Sequence, residues 1–269
     1  MEKETFQAFQ EIAHTKAGIF LRPGKAALVQ ARLARRLREL GLSSEREYLD
    51  KLRTEGEDEL VLFLDAISTN FTKFFREPDH FDTLAQSVQA ALAAGQERFR
   101  FWCAGCSSGE EPYTAAMVLE PLLRNRDWRI LATDISTRVL ARAAEGVYAD
   151  EEVEPIPAAL RSRYLEAAPS DEGGARWTIS RKLRERIVYH RLNLAARPYP
   201  MSGPLDAVFC RNVMIYFDRP MRAGLVGEIA RLLRPGCHLF IGHSETLNGI
   251  ETRLRSERPS VYRLPAEVR

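Results

Sequence analysis

The sequence predicts an α/β protein in two parts. A small all-helical N-terminal domain covers 1–76, and a Rossmann-like, doubly wound sheet domain covers 77–269 and carries an inserted antiparallel β-subdomain at about 150–186. Three observations predict this. From residue 97 onward strand-like and helix-like runs alternate, as they do in a mainly parallel sheet. The segment 98–125 reads as strand, glycine turn and helix, the opening unit of a nucleotide-binding sheet. The first 76 residues read as helical throughout, with apolar stripes at helical spacing.

The 269 residues are enough for one large domain or two smaller ones, each able to bury a substantial core. With 45% hydrophobic and 28% charged residues and a net charge of +2, the chain is ordinary for a globular protein. Neither a signal peptide nor a bilayer-spanning apolar run is read, so a cytoplasmic protein is expected, without membrane insertion and without a nucleic-acid partner. Cys103, Cys106, Cys210 and Cys237 fall in or beside predicted strands, which suits reduced buried thiols better than a disulfide framework. Cys103 and Cys106 have C-x-x-C spacing, but they lie inside the glycine turn with no second pair to complete a metal set.

In chain order, 23–40 places Ala26, Val29, Leu33, Leu37 and Leu40 on one helical face, and Gly41 stands where a helix stops. Arg32, Arg35 and Arg38 fall on the opposite face, with Arg36 on its shoulder. Between Glu11 and Glu39 there are seven Lys or Arg and no acid; 39–65 then holds nine acidic residues against three basic. Such faces either pair with each other or steer an acidic partner onto the helix at 25–40. Ser44-Glu45-Arg46-Glu47 has capping-box spacing. Leu60, Val61, Phe63, Leu64 and Ile67 form a third apolar stripe. The stretch 68–76 then alternates polar with aromatic residues at neither period, before Pro78 opens another helix that runs to Gly95.

In the sheet domain, strands are predicted at 98–104, 128–133, 187–192, 205–210, 237–242 and 260–264, and helices at 110–125, 136–145 and 219–233. Residues 101–111, from Phe101 to Glu111, hold the glycine turn. Glycines admit a ligand close to the backbone, and the following helix start offers unpaired N–H groups. Glu110 and Glu111 stand where a dinucleotide fold would receive pyrophosphate. Carboxylates there repel phosphate and suit a cationic or hydroxyl-rich ligand, which favours S-adenosylmethionine (AdoMet) over NAD. Asp134 ends the second strand, about 25 residues after the turn, where an acid accepts bonds from ribose hydroxyls; it is also placed to cap the next helix, as is Ser136. Pro155, Pro157, Pro169, a Gly173-Gly174 turn and Trp177-Thr178-Ile179 mark the insertion. Arg211, Asn212 and Tyr216 follow the fourth strand, at the edge where open α/β sheets bind ligands. His243 follows the next strand with no partner making a nucleophile triad.

Three local patterns, in this order and spacing, make the chain resemble the CheR family, the AdoMet-dependent methyltransferases of bacterial chemotaxis receptors. They are Thr69-Asn70-Phe71-Thr72-Lys73-Phe74-Phe75-Arg76, Ser108-Gly109-Glu110-Glu111-Pro112-Tyr113, and Cys210-Arg211-Asn212-Val213-Met214-Ile215-Tyr216-Phe217. The resemblance covers nearly the whole chain. It implies that Asn70, Thr72, Arg76, Glu111, Asp134, Asn193, Leu194 and Arg211 touch AdoMet or its product S-adenosylhomocysteine. Asn212 would lie beside them and Tyr216 would face the methyl-transfer site. It further implies receptor docking through the β-subdomain, and contact between the helix at 25–40 (Arg32, Arg35, Arg38) and acidic methylation helices.

The chemistry implied is transfer of a methyl group to a glutamate carboxylate, giving a methyl ester in signalling adaptation. With a reference pKa of about 4.3, the acceptor is ionised at neutral pH and needs no general base. The enzyme's task is then alignment and exclusion of water, and Arg76 and Tyr216 are cast as the orienting groups. Two rivals remain at this point: a methyltransferase of another substrate on the same fold, and a non-catalytic AdoMet-binding adaptor. An amino-methylating enzyme usually carries an (Asp/Asn/Ser)-Pro-Pro-(Tyr/Phe) loop after the fourth strand, where this chain reads Arg-Asn-Val-Met.

Overall fold

Helices α1 (Lys3–Ala17), α2 (Ala26–Leu40), α3 (Glu45–Thr54) and α4 (Glu57–Ile67) come first in a computed structural model that describes residues 1–68, 71–169 and 174–266. The helix expected over 23–40 begins as a 3-10 turn at Pro23–Lys25 and ends on Gly41 at φ 67°, a left-handed conformation that costs glycine nothing. Val29 and Leu33 of its stripe are fully buried; Ala26, Leu37 and Leu40 pack at the margin. Ser44 caps α3 by accepting the Glu47 N–H at 3.2 Å. The Glu47 carboxylate reaches back to Ser43, one residue earlier than the box predicts.

The helical reading of 1–76 fails at its end, because α4 stops at Ile67 and 71–78 is irregular. Phe75 and Glu77 sit at φ 52° and 54°, which no helix or strand accommodates. This is why the aromatic spacing there fitted neither period. Phe74 is fully buried edge-on to Tyr148, and Phe75 N–H donates to Thr114 Oγ1 at 3.1 Å.

Helix α5 (Asp79–Ala93) leads into β1 (Arg98–Ala104), α6 (Glu110–Leu123), β2 (Asp127–Asp134) and α7 (Thr137–Glu145). The insertion follows as β3 (Val147–Ala149), α8 (Asp150–Val153), α9 (Ala158–Tyr164), β4 (Leu165–Ala168) and β5 (Arg176–Ile179). After it come α10 (Arg181–Arg184), β6 (Ile187–Arg191), β7 (Leu205–Cys210), α11 (Arg219–Leu232), β8 (Leu233–Ile241), β9 (Arg255–Arg258) and β10 (Val261–Arg263). The main sheet runs β6-β2-β1-β7-β8-β10-β9, parallel except where β10 pairs β8 and β9. The charged Arg-Ser-Glu-Arg edge strand β9 was not predicted, since all four residues are exposed and carry no apolar alternation. The inserted sheet, β3-β5-β4, is antiparallel as expected. It begins at Val147, earlier than the expected 150, and includes two short helices. Gly173 lies outside the described residues.

Side-chain alternation along the strands builds two cores. Phe99, Phe101, Cys103, Ala207, Phe209 and Phe240 face α5, α6 and the insertion. Trp102, Ala104, Val208, Cys210, Leu239 and Ile241 share one core with α11 and the N-terminal helices, including Phe9 and Leu33. The helical segment is thus fused to one face of the sheet. Ile19 bridges Phe217, and Phe20 N–H donates to the Tyr216 carbonyl at 2.7 Å.

Candidate functional site

The carboxyl ends of β1, β2, β6 and β7 open into a cleft that is open to solvent at its mouth and roofed by 71–76 with Ala17 and Ile19. Thr72, Arg76, Glu111, Asp134, Asn193, Leu194, Arg211, Asn212 and Tyr216 all line it. Asn70, also expected there, lies outside the described residues. The placement follows from topology: parallel strands deliver their loops to one edge. Gly105, at φ 78°, lets the turn after β1 approach the loop after β7, because a Cβ there would collide with the Val213 side chain.

Asp134 ends β2 with its carboxylate held by backbone N–H groups, Oδ2 by Ser107 at 2.9 Å and Oδ1 by Ser136 at 3.1 Å. Burial nonetheless pushes its pKa up, against those bonds. The cap of α7 is Ser136, whose hydroxyl accepts from Val139 N–H at 3.2 Å, so the capping alternative for Asp134 falls away. The two acids of the glycine turn separate. Glu110 turns inward to the Ser108 hydroxyl at 2.8 Å, and only Glu111 faces the cleft.

Glu111 Oε2 accepts from Arg211 Nη1 at 3.1 Å, while Oε1 is buried with no partner in hydrogen-bond geometry, the Cys103 thiol standing beside the carboxylate as a weak donor. Burial raises the Glu111 pKa despite Arg211. The Arg211 side chain is 2% exposed. It lies over the Phe81 ring and donates to Glu77 Oε2 at 3.0 Å and to the Arg76 carbonyl. Glu77 is half-desolvated, which pushes its pKa up, but the Arg211 charge and the His243 N–H outweigh this and hold it below the usual carboxylate range. Glu77, His80 and His243 bring ligand-type atoms within 4.8 Å of one another. Arg211 already supplies the positive charge at Glu77, so the cluster is a compensated ion-pair network.

Arg76 stands at the mouth, its guanidinium 5.8 Å from the Phe71 ring centroid and bonded to the Phe71 carbonyl at 3.1 Å. The Asn193 amide is engaged within the protein, donating to the Lys16 carbonyl at 2.6 Å and accepting from Ala195 N–H at 2.9 Å. Cys103, Cys106 and Cys210 are buried free thiols whose pKa burial raises well above the ordinary value, so the C-x-x-C pair has no thiolate character for redox work.

The basic face of α2 is not uniform. Arg35 and Arg38 are exposed, but Arg32, expected beside them, is half-buried and donates to the Ile67 carbonyl at the end of α4. Arg36 pairs with Glu59, which is 4% exposed and also accepts from Tyr48 at 2.7 Å. Pairing therefore holds for the shoulder of the face, and on its outer edge Arg35 meets, among the described residues, only the exposed Glu39 of the same helix, at 2.9 Å. Sequence reading missed Glu77 and Glu245, whose carboxylates brace Arg211 and the loop after β7. Both stand directly beside recognised stretches, Glu77 after Arg76 and Glu245 after His243-Ser244.

Two carboxylates lining one cleft, Glu111 and the strand-end Asp134, suit a ligand bearing an ammonium group and vicinal hydroxyls. AdoMet has both. Among the described residues no helix is long and apolar enough to cross a membrane.

Comparison with known proteins agrees. Residues 4–68 match the model of the CheR methyltransferase all-alpha domain, and residues 70–262 that of the CheR methyltransferase SAM binding domain. The chain is 41% identical over 264 residues to chemotaxis protein methyltransferase 2 of Pseudomonas aeruginosa, covering 97% of this chain and 92% of that protein. It is 37% identical to the chemotaxis protein methyltransferase of Escherichia coli (96% and 90% covered). To that of Borreliella burgdorferi it is 36% identical (97% and 94% covered). The fold, the cleft and these matches together establish that the chain belongs to the CheR methyltransferase family.

Proposed function

We propose that the protein methylates glutamate side chains of chemotaxis receptors, using AdoMet held in the cleft described above. The observation that carries this reading is the convergence of Glu111, Asp134, Arg211 and Tyr216 on one cleft from three separate strand ends. AdoMet supplies an electrophilic methyl group on a sulfonium. Asp134 takes the ribose hydroxyls and Glu111 the amino group, with Arg211 holding the Glu111 carboxylate in place. An incoming glutamate carboxylate forms the new C–O bond as the C–S bond breaks, and the electron pair stays on sulfur. No proton moves, so no base is required of the chain. Arg76 and Tyr216, at the mouth, orient the acceptor. The exposed Arg35 and Arg38 favour the acidic surface of a receptor helix, and the inserted sheet is a second docking element. We take the helical segment through Ile67 and the sheet-bearing remainder as the two functional domains, with the cofactor between them.

The test is incubation with methyl-labelled AdoMet and a panel of receptor cytoplasmic fragments. Base-labile label on receptor glutamates is the expected result. Label on nucleic acid or a small molecule, or none at all, rejects the reading.

A further inference from the structure

The loop after β7 carries Arg211, Asn212, Val213 and Tyr216 into the cleft. Asn212 adopts φ 59°, a left-handed conformation uncommon for a residue other than glycine. Val213 and Ile215 are β-branched residues around a single 3-10 turn, Met214–Tyr216. Such a loop would lead its N–H groups to water unless an acceptor were built in.

That acceptor is Glu245, from the turn after β8. Its Oε2 receives Asn212 N–H at 2.8 Å and Gly242 N–H at 2.7 Å, and its Oε1 receives Ile215 N–H at 3.2 Å. The Met214 N–H also points at the carboxylate. Among the described residues these peptide groups, not a cation, meet its charge. The turn fits the loop closely: a Cβ at Gly242 would strike the Asn212 amide. One side chain thus fixes both the unusual Asn212 backbone and the turn that aims Tyr216.

We propose that Glu245 is a positioning residue for methyl transfer, pinning the 211–217 loop so that Asn212 and Tyr216 stand correctly in the cleft. The proposal rests on the methyl-transfer reading of that cleft. A carboxylate suits this work because it is acceptor-only. A glutamine of the same size would turn an NH₂ toward at least one of the loop's N–H groups, and the loop would lose its fit.

The experiment compares wild type, Glu245→Gln and Glu245→Asp in the full chain by melting temperature, S-adenosylhomocysteine affinity, steady-state methylation of a receptor fragment, and amide hydrogen exchange of the peptide covering 211–217. In Glu245→Gln, exchange should quicken in that peptide and not in the β1 or β2 peptides. With a misplacement of the order of an ångström, kcat should fall by roughly 100-fold. Affinity for S-adenosylhomocysteine, anchored at Asp134 and Glu111, should fall far less. Glu245→Asp, which keeps the charge on a shorter stem, should recover part of the lost kcat. Unchanged exchange in Glu245→Gln overturns the proposal. So does faster exchange with unchanged kcat, or a loss of kcat that only tracks the unfolded fraction. If the wild-type chain methylates no receptor fragment, the functional reading fails separately, and the exchange comparison still accepts or rejects the pin.

Discussion

Arg211 Nη1 lies 3.1 Å from Glu111 Oε2, joining residues 100 apart in sequence. The first turn of α6 and the loop after β7 are locked together through this pair, and Glu77 extends the lock to the segment that roofs the cleft. The site is therefore a frame of one guanidinium shared by two carboxylates, with the second oxygen of Glu111 buried and without a partner in hydrogen-bond geometry.

Removing the guanidinium should be costly. Arg211→Met leaves Glu77 and Glu111 buried without their cation, and breaking such a pair typically costs about 3–5 kcal/mol. Denaturant unfolding should show this loss, and the double variant Arg211→Met/Glu111→Gln should recover part of it. An Arg211→Met protein as stable as wild type would show that the frame is not built on this charge.

Asp134→Ala should weaken S-adenosylhomocysteine binding. Hydrogen bonds to a charged acceptor are worth about 1.5–3 kcal/mol each, so a loss of at least tenfold is expected by calorimetry. Part of that loss will come from releasing the Ser107 and Ser136 N–H groups that Asp134 organises. Asp134→Asn, which can keep one of those bonds, should fall between wild type and Asp134→Ala.

His80 makes stability depend on pH. Its side chain is fully buried, and burial, reinforced by the Arg211 charge, lowers its pKa from 6.5 to about 4, although Asp79 and Glu77 pull the other way. The unfolded chain therefore binds the extra proton first. Stability is complete above pH 6.5 and is lost as pH falls toward 4, by about 3 kcal/mol over that interval. Ser260 Oγ lies 2.7 Å from His80 Nε2, within hydrogen-bond reach. His80→Gln can keep the Ser260 bond without titrating. Its unfolding free energy should fall less steeply than wild type across that pH range; parallel curves would reject the assignment.

The arginines of α2 should divide by burial. Reversing the exposed Arg35 and Arg38 to Glu should change stability by no more than about 0.5 kcal/mol apiece. The same variant should slow receptor methylation, most clearly at low salt where a one-sign face steers association. Arg36→Ala should instead destabilise by roughly 3 kcal/mol, because Glu59 would stay buried with only the Tyr48 hydroxyl and no paired cation. Arg35→Glu/Arg38→Glu with wild-type methylation at low salt would remove the docking role from this face.

Period and turn chemistry alone determined most of the elements. The strands β1, β2, β6 and β7, the helices α6, α7 and α11, and the stop at Gly41 follow from apolar alternation, helical spacing and glycine. The edge position of Asp134 and Arg211 follows too, because a parallel sheet leaves the ends of its strands no other place. What the chain order could not determine was which polar groups would meet. Glu110 and Glu111 are adjacent and alike in sequence, yet helical rotation turns one to Ser108 and the other to Arg211. Arg32 and Arg35 are one helical turn apart, yet only Arg32 lies within reach of the end of α4. Glu77 meets Arg211, 134 residues away, and Glu245 meets Asn212, 33 residues away, and no local period encodes such a pairing. Local propensity is a property of neighbours in sequence, whereas desolvation and charge pairing are properties of neighbours in space, and only the folded chain supplies those.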